Sequence, residues 1–394
     1  MTSPTPLAGM RVLEFTHMVM GPTVGMTLAD LGAEVIKVEP APEGDSTRRL
    51  TGSGTGFYAA FGRGRRSLCV DLKQPEGLAL VQKLAAKADV VVENFRPGAM
   101  AKLGLGFPEL SATNPGLIYC SCKGFLPGPY EHRTALDEVV QMMGGLAYMT
   151  GLEGRPLRAG SSVIDIMGGL SAVIGILAAL AERQRTGKGG EIQAGLFETV
   201  ALLMAQHMAQ TKITGQAPPP MSVRRPAWPV YDIFGTADGG QVFVGVVTDT
   251  QWPAFCTAFG LQDLAADSSL ATKQQRVAQR ERTIPRIAAA LAAYTKPELM
   301  AKCEALGLPF APIGKPAELF EDPHLLGSGG LVPLHLPDGT PIDLPALPVA
   351  IDGARPGGTG DLRAPGADGA AIAAELGYSE AEIAAMREAG VLAG

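Results

Sequence analysis

The chain has 394 residues, of which 46% are hydrophobic and 18% are charged, and this composition is typical of a folded globular protein rather than a disordered one. A chain of this length exceeds one ordinary hydrophobic core, so two domains are predicted. The formal net charge of −6 and the lack of a basic stripe argue against a nucleic-acid partner.

Four features that the sequence lacks bear on where the protein is found and on metal binding. The first ten residues contain neither a basic nor an apolar region, which predicts no export signal. The five cysteines lack a framework spacing and predict reduced thiols in a cytoplasmic protein. Cys120 and Cys122 have no histidine or cysteine cluster beside them, so no metal site is predicted. The longest apolar stretch, Ile164–Ala181, is interrupted by Asp165 and several glycines, which favours a core helix over a membrane span.

The first part of the chain alternates strand-like and helix-like segments. The predicted strands are Met10–Phe15, Ala33–Glu39, Ser67–Leu72, Asp89–Glu93 and Leu117–Lys123, with helices at Thr23–Leu31, Pro75–Lys87 and Gly98–Leu103. Such alternation predicts an α/β fold with an open, mostly parallel sheet. The first turn after a strand contains Gly21, Pro22 and Gly25 but not the glycine fingerprint of dinucleotide binders, which disfavours a nicotinamide oxidoreductase.

The ends of these strands define a predicted binding edge. In open parallel sheets, ligands bind beyond the carboxyl ends of the strands. The polar and aromatic residues at those ends are His17, Lys73, Asn94, Phe95, Arg96 and Lys123.

The second part of the chain predicts a smaller α+β domain. The segment Gln216–Pro229 is dense in proline and predicts a linker. A hairpin is predicted at Tyr231–Val247, helices between Thr250 and Gly307, and short helices at Ala370–Leu376 and Glu380–Ala389. The predicted boundaries are therefore 1–215 for the large domain, 216–229 for the linker, 230–325 for the small domain, and 326–394 for a linker that returns to the large domain.

One carboxylate lies in an apolar setting. The segment Arg158–Leu170 reads RAGSSVIDIMGGL, and Asp165 stands between apolar neighbours there. Apolar residues recur at helical spacing after it, which predicts a buried helix at Gly168–Leu180. Two interpretations remain open from the spacing: Asp165 is the N-cap of this helix, or it is a functional carboxylate held between apolar walls.

Seven segments, in the same order as in a known family, resemble the class III coenzyme A transferases, the group of formyl-CoA transferase and carnitine CoA-transferase. They are Val12–Pro22, Gly32–Pro40, Gly62–Gly77, Val90–Gly98, Gly160–Leu180 with Arg183–Glu191, Tyr231–Gly240 and Glu375–Leu392. Each segment is weak evidence alone, but seven in register are specific. The resemblance implies a Rossmann-like large domain, a small domain, and a homodimer whose two chains interlock.

The resemblance also implies the site. It makes Asp165 the catalytic carboxylate, which attacks an acyl-CoA thioester and then carries CoA as an aspartyl thioester, with no metal or redox cofactor. It matches Asp137 to an acidic residue near that carboxylate. The CoA contacts that it implies are His17, Met18, Val19, Met20, Lys73, Asn94, Phe95, Arg96 and Lys102. For Lys102, a solvated helix charge is an equal alternative.

The substrates are predicted from departures from the family pattern. Val19 stands where formyl-CoA transferases have glutamine, which argues against exchange between formyl-CoA and oxalate. The segment Pro218–Pro226 replaces the glycine-rich loop and contains Arg224 and Arg225, whose guanidinium groups could each bind a carboxylate or sulfinate through two hydrogen bonds. The alternative is a solvated pair on an exposed loop. The prediction is succinyl-CoA as donor and a diacid or sulfinate-bearing acid, such as malate, itaconate or 3-sulfinopropionate, as acceptor.

Two other functions remain as alternatives to the CoA-transferase (EC 2.8.3). An α-methylacyl-CoA racemase on the same fold needs a histidine directly before the aspartate, but Leu136 precedes Asp137 and cannot exchange a proton. A CoA-binding protein without catalysis would leave Asp165 with no role beyond capping a helix.

Overall fold

A computed structural model describes residues 3–224, 226–357 and 360–394, and the chain divides into two compact units. The first unit contains the residues up to Ser222 together with Pro323–Gly394, and the second is Val223–Asp322. The chain therefore leaves the first unit, builds the second, and returns.

The strands and helices have the following bounds. The strands are β1 Arg11–Phe15, β2 Glu34–Pro40, β3 Arg65–Val70, β4 Val90–Glu93, β5 Ile118–Lys123, β6 Gly190–Gly195, β7 Val230–Gly235, β8 Gln241–Val246, β9 Phe310–Pro312, β10 Leu331–His335, β11 Pro341–Pro345 and β12 Leu392–Ala393. The helices are α1 Met20–Asp30, α2 Phe57–Phe61, α3 Pro75–Ala85, α4 Ala99–Lys102, α5 Phe107–Thr113, α6 Asp137–Met143, α7 Leu146–Thr150, α8 Val163–Thr186, α9 Leu196–Leu203, α10 Ala205–Thr214, α11 Gln251–Ala258, α12 Gln262–Ala266, α13 Lys273–Ala278, α14 Arg280–Leu291, α15 Lys296–Ala305, α16 Pro323–Gly327, α17 Gly369–Glu375 and α18 Glu380–Glu388.

The first unit is built on a sheet whose described strands follow the order β12-β3-β2-β1-β4-β5-β6. Every pairing in it is parallel except that of β12 with β3, so the predicted open, mostly parallel α/β sheet is confirmed. Strands to one side of β1 are β2 and β3, and strands to the other side are β4, β5 and β6. The chain thus adds strands first on one side of β1 and then on the other. This switch in strand order creates a crevice between the carboxyl ends of β1 and β4, where ligands of such sheets bind.

Helices cover both faces of the sheet. Alternate residues of each strand point to opposite faces, so each strand contributes to both cores. On one face, Val12, Val35 and Val92 pack with residues of α1, α8 and α9. On the other, Leu13 and Ile36 pack with residues of α3, α17 and α18. This double burial explains why the strands read as nearly continuous apolar runs.

Charged side chains interrupt the core beneath the first turn of the sheet. Glu14, Lys37 and Arg65 are almost fully buried, and Glu14 lies opposite Lys37 in the register of β1 and β2. Arg65 Nε donates to Glu14 Oε2 at 2.5 Å, and Lys37 Nζ donates to the carbonyl oxygen of Thr16 at 2.6 Å. Buried charges are tolerated when they are paired in this way. The network therefore fixes the end of β1, from which the binding crevice begins.

The second unit has its own core. β7, β8 and β9 form an antiparallel sheet, and its apolar face packs with α11, α14 and α15. Val242 and Val244 of β8 and Phe255 of α11 are fully buried in this cluster. It is a small α+β arrangement.

The helix that contains Asp165 is longer than the sequence predicted. It begins at Val163 rather than Gly168, and it ends at Thr186, where Gly187 adopts a left-handed conformation. By length and composition alone this helix could cross a membrane. One of its faces packs in the core, but Ile174 and Leu177 on the other face are 68% and 38% exposed in the single chain. In the single chain, the predicted burial is therefore confirmed for one face of the helix only.

Glycines let α8 approach α1 closely. A Cβ atom on Gly169 would lie 2.6 Å from the carbonyl oxygen of Met20 and 2.7 Å from Thr23 Cβ. A Cβ atom on Gly168 would lie 2.9 Å from Met20 Cε. The backbone of Met20 cannot move without disturbing the start of α1, so the glycine at position 169 sets the distance between the two helices.

We expect Gly169→Ala to lower the free energy of unfolding by about 1–3 kcal/mol, because overpacking outweighs the higher helix propensity of alanine. Urea denaturation followed by circular dichroism measures the change. Gly190→Ala is the matched control, since a Cβ atom there would meet nothing within 4 Å. Equal stability of the two variants would contradict the close approach of α1 and α8.

Candidate active site

Asp165 lies in the first turn of α8, as the third residue of the helix. Ser162 occupies the N-cap position, but its side chain makes no capping hydrogen bond to the helix. The interpretation of Asp165 as the N-cap is therefore wrong. Its carboxylate is left available for another role, while its neighbours Ile164 and Gly168 anchor the helix in the core.

The cap of α8 comes from a different helix. Oδ2 of Asp137, the first residue of α6, accepts the backbone N–H of Ile164 at 2.9 Å and that of Asp165 at 3.2 Å. The side chain of Asp137 is buried, with 6% of the residue exposed. A buried carboxylate at a helix N-terminus satisfies free N–H groups and the positive end of the helix dipole. Asp137 therefore fixes the first turn of α8, and with it Asp165.

Two further side chains hold Asp137. Gln141 Nε2, one turn along α6, donates to Asp137 Oδ1 at 2.6 Å. Gln141 Oε1 accepts the backbone N–H of Ala159 at 2.8 Å, so the same amide ties the segment before α8 to α6. Arg158 Nη2 lies 3.5 Å from Asp137 Oδ1. The result is a polar cluster around the buried carboxylate of Asp137, with Arg158 at its exposed side.

This environment makes Asp165 easier to protonate than an ordinary aspartate. Burial, and after it the nearby negative charge of Asp137, raise the pKa of Asp165 to about 7, while the charge of Arg158 opposes the rise. A pKa near the working pH is typical of a carboxylate in a reactive site. Near neutral pH, a large fraction of Asp165 is a poorly solvated carboxylate, which is a better nucleophile than a fully hydrated one.

Asp165 lies one helical turn before the glycines that contact the start of α1. Residues three and four positions apart share a helix face, and Gly168 and Gly169, on the face of Asp165, contact Met20. Met20 is the first residue of α1. Within the described residues, the N–H groups of Met20 and Gly21 have no hydrogen-bond partner, and Pro22 has no N–H. The N-terminus of α1 is therefore open, and it lies against the turn of α8 that follows Asp165.

The predicted residues at the ends of β1 and β4 are brought together. Asn94 Oδ1 accepts the backbone N–H of His17 at 3.0 Å, and its Nδ2 donates to the His17 carbonyl oxygen at 2.9 Å. The His17 and Phe95 rings stack with centroids 5.8 Å apart. Burial lowers the pKa of His17, while the negative charge of Asp45 opposes this effect. The stacked rings therefore lie together where β1 and β4 end, at the edge of the crevice.

The next residue, Met18, is held in a strained conformation. Its φ of 63° is in the left-handed region, and 37% of the residue is exposed. Its backbone N–H donates to Thr47 Oγ1 at 2.9 Å, and Thr47 Oγ1 donates to Asp45 Oδ1 at 2.8 Å. Lys37 lies 3.1 Å from the other oxygen of Asp45. The buried charges of the sheet thus stabilise the strain at the mouth of the crevice.

The remaining predicted CoA residues differ in exposure. Val19 and Met20 are buried in the core, so they can reach a ligand only through their backbone atoms. Lys73, Arg96 and Lys102 are exposed, and none of the three forms an ion pair with another described residue. Lys123, which the sequence placed at the same edge, is paired with Glu93 at 2.7 Å.

Arg224 is exposed and belongs to the second unit, whereas Asp165 belongs to the first. Arg225 lies outside the described residues. Their predicted role in substrate binding stays a prediction.

The sequence did not point to Gln141 or Arg158. Gln141 is four residues after Asp137, a spacing at which side chains meet on a helix, and this could have drawn attention to it. Arg158 stands seven residues before Asp165 in the same conspicuous segment. Neither signal is specific, because the contacts depend on the packing of α6 against the start of α8.

Several known proteins are similar to this chain over most of its length. The model of CoA-transferase family III matches residues 7–368. A succinate–glutarate CoA-transferase of Agrobacterium fabrum is 38% identical over 349 residues, 86% of this chain and 87% of that protein. A succinyl-CoA–D-citramalate CoA-transferase of Chloroflexus aurantiacus is 36% identical over 342 residues, 85% of each chain. The crystal structure of a CAIB/BAIF family protein from Brucella suis superposes with a TM-score of 0.84 at 36% identity, covering 95% of this chain and 100% of that one.

We expect Asp137→Asn to move the acidic limb of the pH profile to lower pH by about one unit, because it removes the like charge that raises the pKa of Asp165. The amide oxygen can still accept the N–H groups of α8. The measurement is kcat/KM for acyl-CoA turnover between pH 5 and 9.

Glu138→Gln is the matched control for this experiment. Glu138 neighbours Asp137 on α6 but is exposed, and the only charge it approaches among the described residues is Arg158, at 3.5 Å. The acidic limb of the pH profile of Glu138→Gln is expected to lie at the same pH as that of the wild type. An unchanged or raised limb in Asp137→Asn would show that the charge of Asp137 does not control Asp165.

Proposed function

The chain belongs to CoA-transferase family III, and we propose that it moves CoA from succinyl-CoA to a small dicarboxylic acid through a covalent intermediate on Asp165. The observation that carries the mechanism is the half-buried carboxylate of Asp165, whose pKa is about 7 and which shares a helix face with the glycines that contact α1. A carboxylate of this kind is suited to attack a thioester carbonyl.

The first half of the reaction loads the enzyme. The Asp165 carboxylate attacks the thioester carbonyl of succinyl-CoA, the carbon–sulfur bond breaks, and a mixed anhydride and the CoA thiolate are formed. The thiolate then attacks the aspartyl carbonyl and releases free succinate. Asp165 is left as a CoA thioester. No proton has to be removed in either step, so a neighbouring general base is not needed.

The second half reverses these steps with another acid. The incoming carboxylate attacks the aspartyl thioester and displaces the thiolate, which forms a second mixed anhydride. The thiolate then attacks the new acyl carbonyl, which gives the product CoA ester and restores the Asp165 carboxylate. Each step passes through a tetrahedral oxyanion. The open N–H groups of Met20 and Gly21 at the start of α1 are suited to stabilise it.

The binding crevice offers groups for the CoA moiety. Lys73, Arg96 and Lys102 are exposed cations without a carboxylate partner among the described residues, and they would face the phosphates of CoA. The stacked rings of His17 and Phe95 offer an apolar surface. Val19 and Met20 follow His17 in the chain, and Met20 contacts the glycines one turn after Asp165. CoA enters as a substrate, and the proposed reaction uses no metal or redox cofactor.

The choice of acids rests on the relatives. Those named above transfer CoA between succinate and glutarate or from succinyl-CoA to D-citramalate, and another from Chloroflexus aurantiacus, 32% identical, is a succinyl-CoA–L-malate CoA-transferase alpha subunit. All these acids carry two carboxylates. We therefore propose a dicarboxylic acceptor and keep a sulfinate-bearing acid as a variant of it, since a sulfinate offers a guanidinium the same pair of oxygens.

The racemase alternative has no support in the site. Leu136 is exposed and occupies the N-cap position of α6, next to Asp137. The leucine side chain cannot take up a proton, so Asp165 has no partner there for a two-base exchange.

We also propose that the enzyme is a cytoplasmic homodimer, as the resemblance implies. Its five cysteines are all free and buried. Large apolar side chains are exposed on consecutive helices of the first unit, and Ile174 of α8, Leu202 of α9 and Ile213 of α10 have exposed fractions of 68%, 68% and 83%. Apolar surface of this extent is usually covered by a partner. A second copy of the chain is the proposed partner.

We expect Asp165 to become covalently attached to CoA when the wild type meets succinyl-CoA without an acceptor. Borohydride would reduce the aspartyl thioester to an alcohol, and hydroxylamine would convert it to a hydroxamate. Digestion and mass spectrometry should then place the mark on Asp165, in the peptide Ala159–Arg183. Asp165→Ala and Asp165→Asn should fold, bind CoA and give no transfer, because loss of a nucleophile removes the reaction path.

Asp137→Asn is the matched control in the trapping experiment, since it should still carry the mark on Asp165. A mark on Asp137 or Glu138 would move the nucleophile. Normal transfer by a folded Asp165→Ala would end the proposed mechanism.

We expect the protein in solution to have twice the 40.9 kDa mass of one chain, because the exposed apolar helices need a cover. Sedimentation equilibrium measures the mass. Ile174→Glu with Leu202→Glu should weaken the association, whereas a charge added at the exposed, polar position Gln206 should not. A monomeric wild type at micromolar concentration would contradict the homodimer.

A further inference from the structure

We propose that Arg158 binds the carboxylate of the dicarboxylic acid that does not react, and so determines the preference for diacids. This inference rests on the proposed function, because it assigns a substrate contact within the same site. Arg158 belongs to the segment that leads into α8, and its guanidinium faces the carboxylate of Asp137 that caps this helix.

The guanidinium of Arg158 is loosely held. Its Nη2 lies 3.5 Å from Asp137 Oδ1 and its Nη1 lies 3.5 Å from Glu138 Oε2, at the limit of a hydrogen bond. The buried pairs of this protein are much tighter, with 2.6 Å between Arg63 and Asp30 and 2.7 Å between Arg48 and Glu39. The side chain of Arg158 is also 37% exposed. Two of its five N–H donors have no partner among the described residues, and two more make only these long contacts.

Asp137 does not depend on Arg158 for its partners. Its Oδ2 accepts two backbone N–H groups of α8, and its Oδ1 accepts Gln141 at 2.6 Å. A purely structural arginine would be expected to make the short contact that Gln141 makes instead. Arg158 can thus turn toward a substrate carboxylate and leave the cap of α8 intact.

The backbone beneath Arg158 is fixed although its side chain is loose. Gln141 Oε1 accepts the N–H of Ala159 at 2.8 Å, and Arg158 Nε donates to the Ala159 carbonyl oxygen at 3.1 Å. Gln141 also holds Asp137, which holds the N–H of Asp165. The backbone at Arg158 is therefore held in a fixed position relative to Asp165 through the side chains of Gln141 and Asp137. A residue that selects substrates needs this kind of support.

Charge gives the reason for a cation at this place. A dicarboxylic acid brings two negative charges into a site that already contains the carboxylates of Asp137 and Glu138. One carboxylate of the acid has to approach the aspartyl carbonyl, while the other has to be neutralised at a distance. A guanidinium presents two parallel N–H donors to a carboxylate and remains charged at any working pH.

The experiment compares glutarate with valerate, which has the same chain length and only one carboxylate, as acceptors at pH 8.5 with succinyl-CoA as donor. In Arg158→Gln, KM for glutarate is expected to rise about 10- to 100-fold, the usual worth of hydrogen bonds to a charged group. The kcat/KM for valerate should change less than about twofold, because in a two-step transfer this constant reports only the acceptor half of the reaction and is not affected by how succinyl-CoA is bound. Arg158→Lys keeps the charge but not the paired donors, and should recover only part of the affinity for glutarate.

Arg155→Gln is the matched control, an exposed arginine of the same segment whose side chain has no partner among the described residues, and its constants should match the wild type. Equal losses for glutarate and valerate in Arg158→Gln would show a structural role and overturn the proposal. If valerate is not used by either protein, a fall in kcat for glutarate with unchanged KM would overturn it equally.

A second arm separates Arg158 from the arginines of the proline-rich segment. The double variant Arg224→Ala with Arg225→Ala should keep its preference for glutarate over valerate. Loss of the preference in that variant, and not in Arg158→Gln, would assign the carboxylate contact to those residues instead. A wild type that transfers CoA to no acid would instead refute the proposed function itself, which is a different result from a transferase that is indifferent to Arg158.

Discussion

The carboxylate of Asp137 accepts the N–H groups of Ile164 and Asp165, and the arrangement of the site depends on this interaction. It joins α6 to the start of α8, because the N-cap residue Ser162 supplies no side-chain cap. The negative charge of Asp137 also raises the pKa of the Asp165 side chain, as the second largest cause after burial. One carboxylate thus positions the backbone of the nucleophile and makes its ionisation less favourable.

The raised pKa has a consequence for stability. A carboxyl group whose pKa is higher in the folded than in the unfolded chain stabilises the fold while it is protonated. For Asp165, this contribution is present below the ordinary value of 3.8 and is lost as the pH rises through about 7. The ionised form that can attack a thioester therefore weakens the fold. The buried contacts of Ile164 and Gly168 and the cap from Asp137 offset this cost, a common trade between activity and stability.

The mouth of the crevice is stabilised in a comparable way. Lys37 and Asp45 lie beneath the first turn of the sheet, and Thr47 connects them to the strained backbone of Met18. Asn94 clamps His17 from the neighbouring strand. These contacts join residues distant in the sequence, and they hold the turn open for a ligand while the N-terminus of α1 remains uncapped. Rigid polar support beneath a strained turn is what a preorganised site requires.

The sequence by itself determined the parallel strands of the sheet from β1 to β5, since their apolar runs and the helices between them are local patterns. It also singled out Asp165 and the ends of β1 and β4, because an isolated carboxylate among apolar residues and polar residues after strands are visible in one dimension. It missed β6, β10, β11 and β12, which are strands through their pairing rather than their composition. Only the tertiary structure decided that Asp137 rather than Asp165 caps α8, that Arg158 faces Asp137, and that Gln141 accepts the N–H of Ala159. Those contacts join residues 18 to 28 positions apart, and the packing of α6 against α8 sets them.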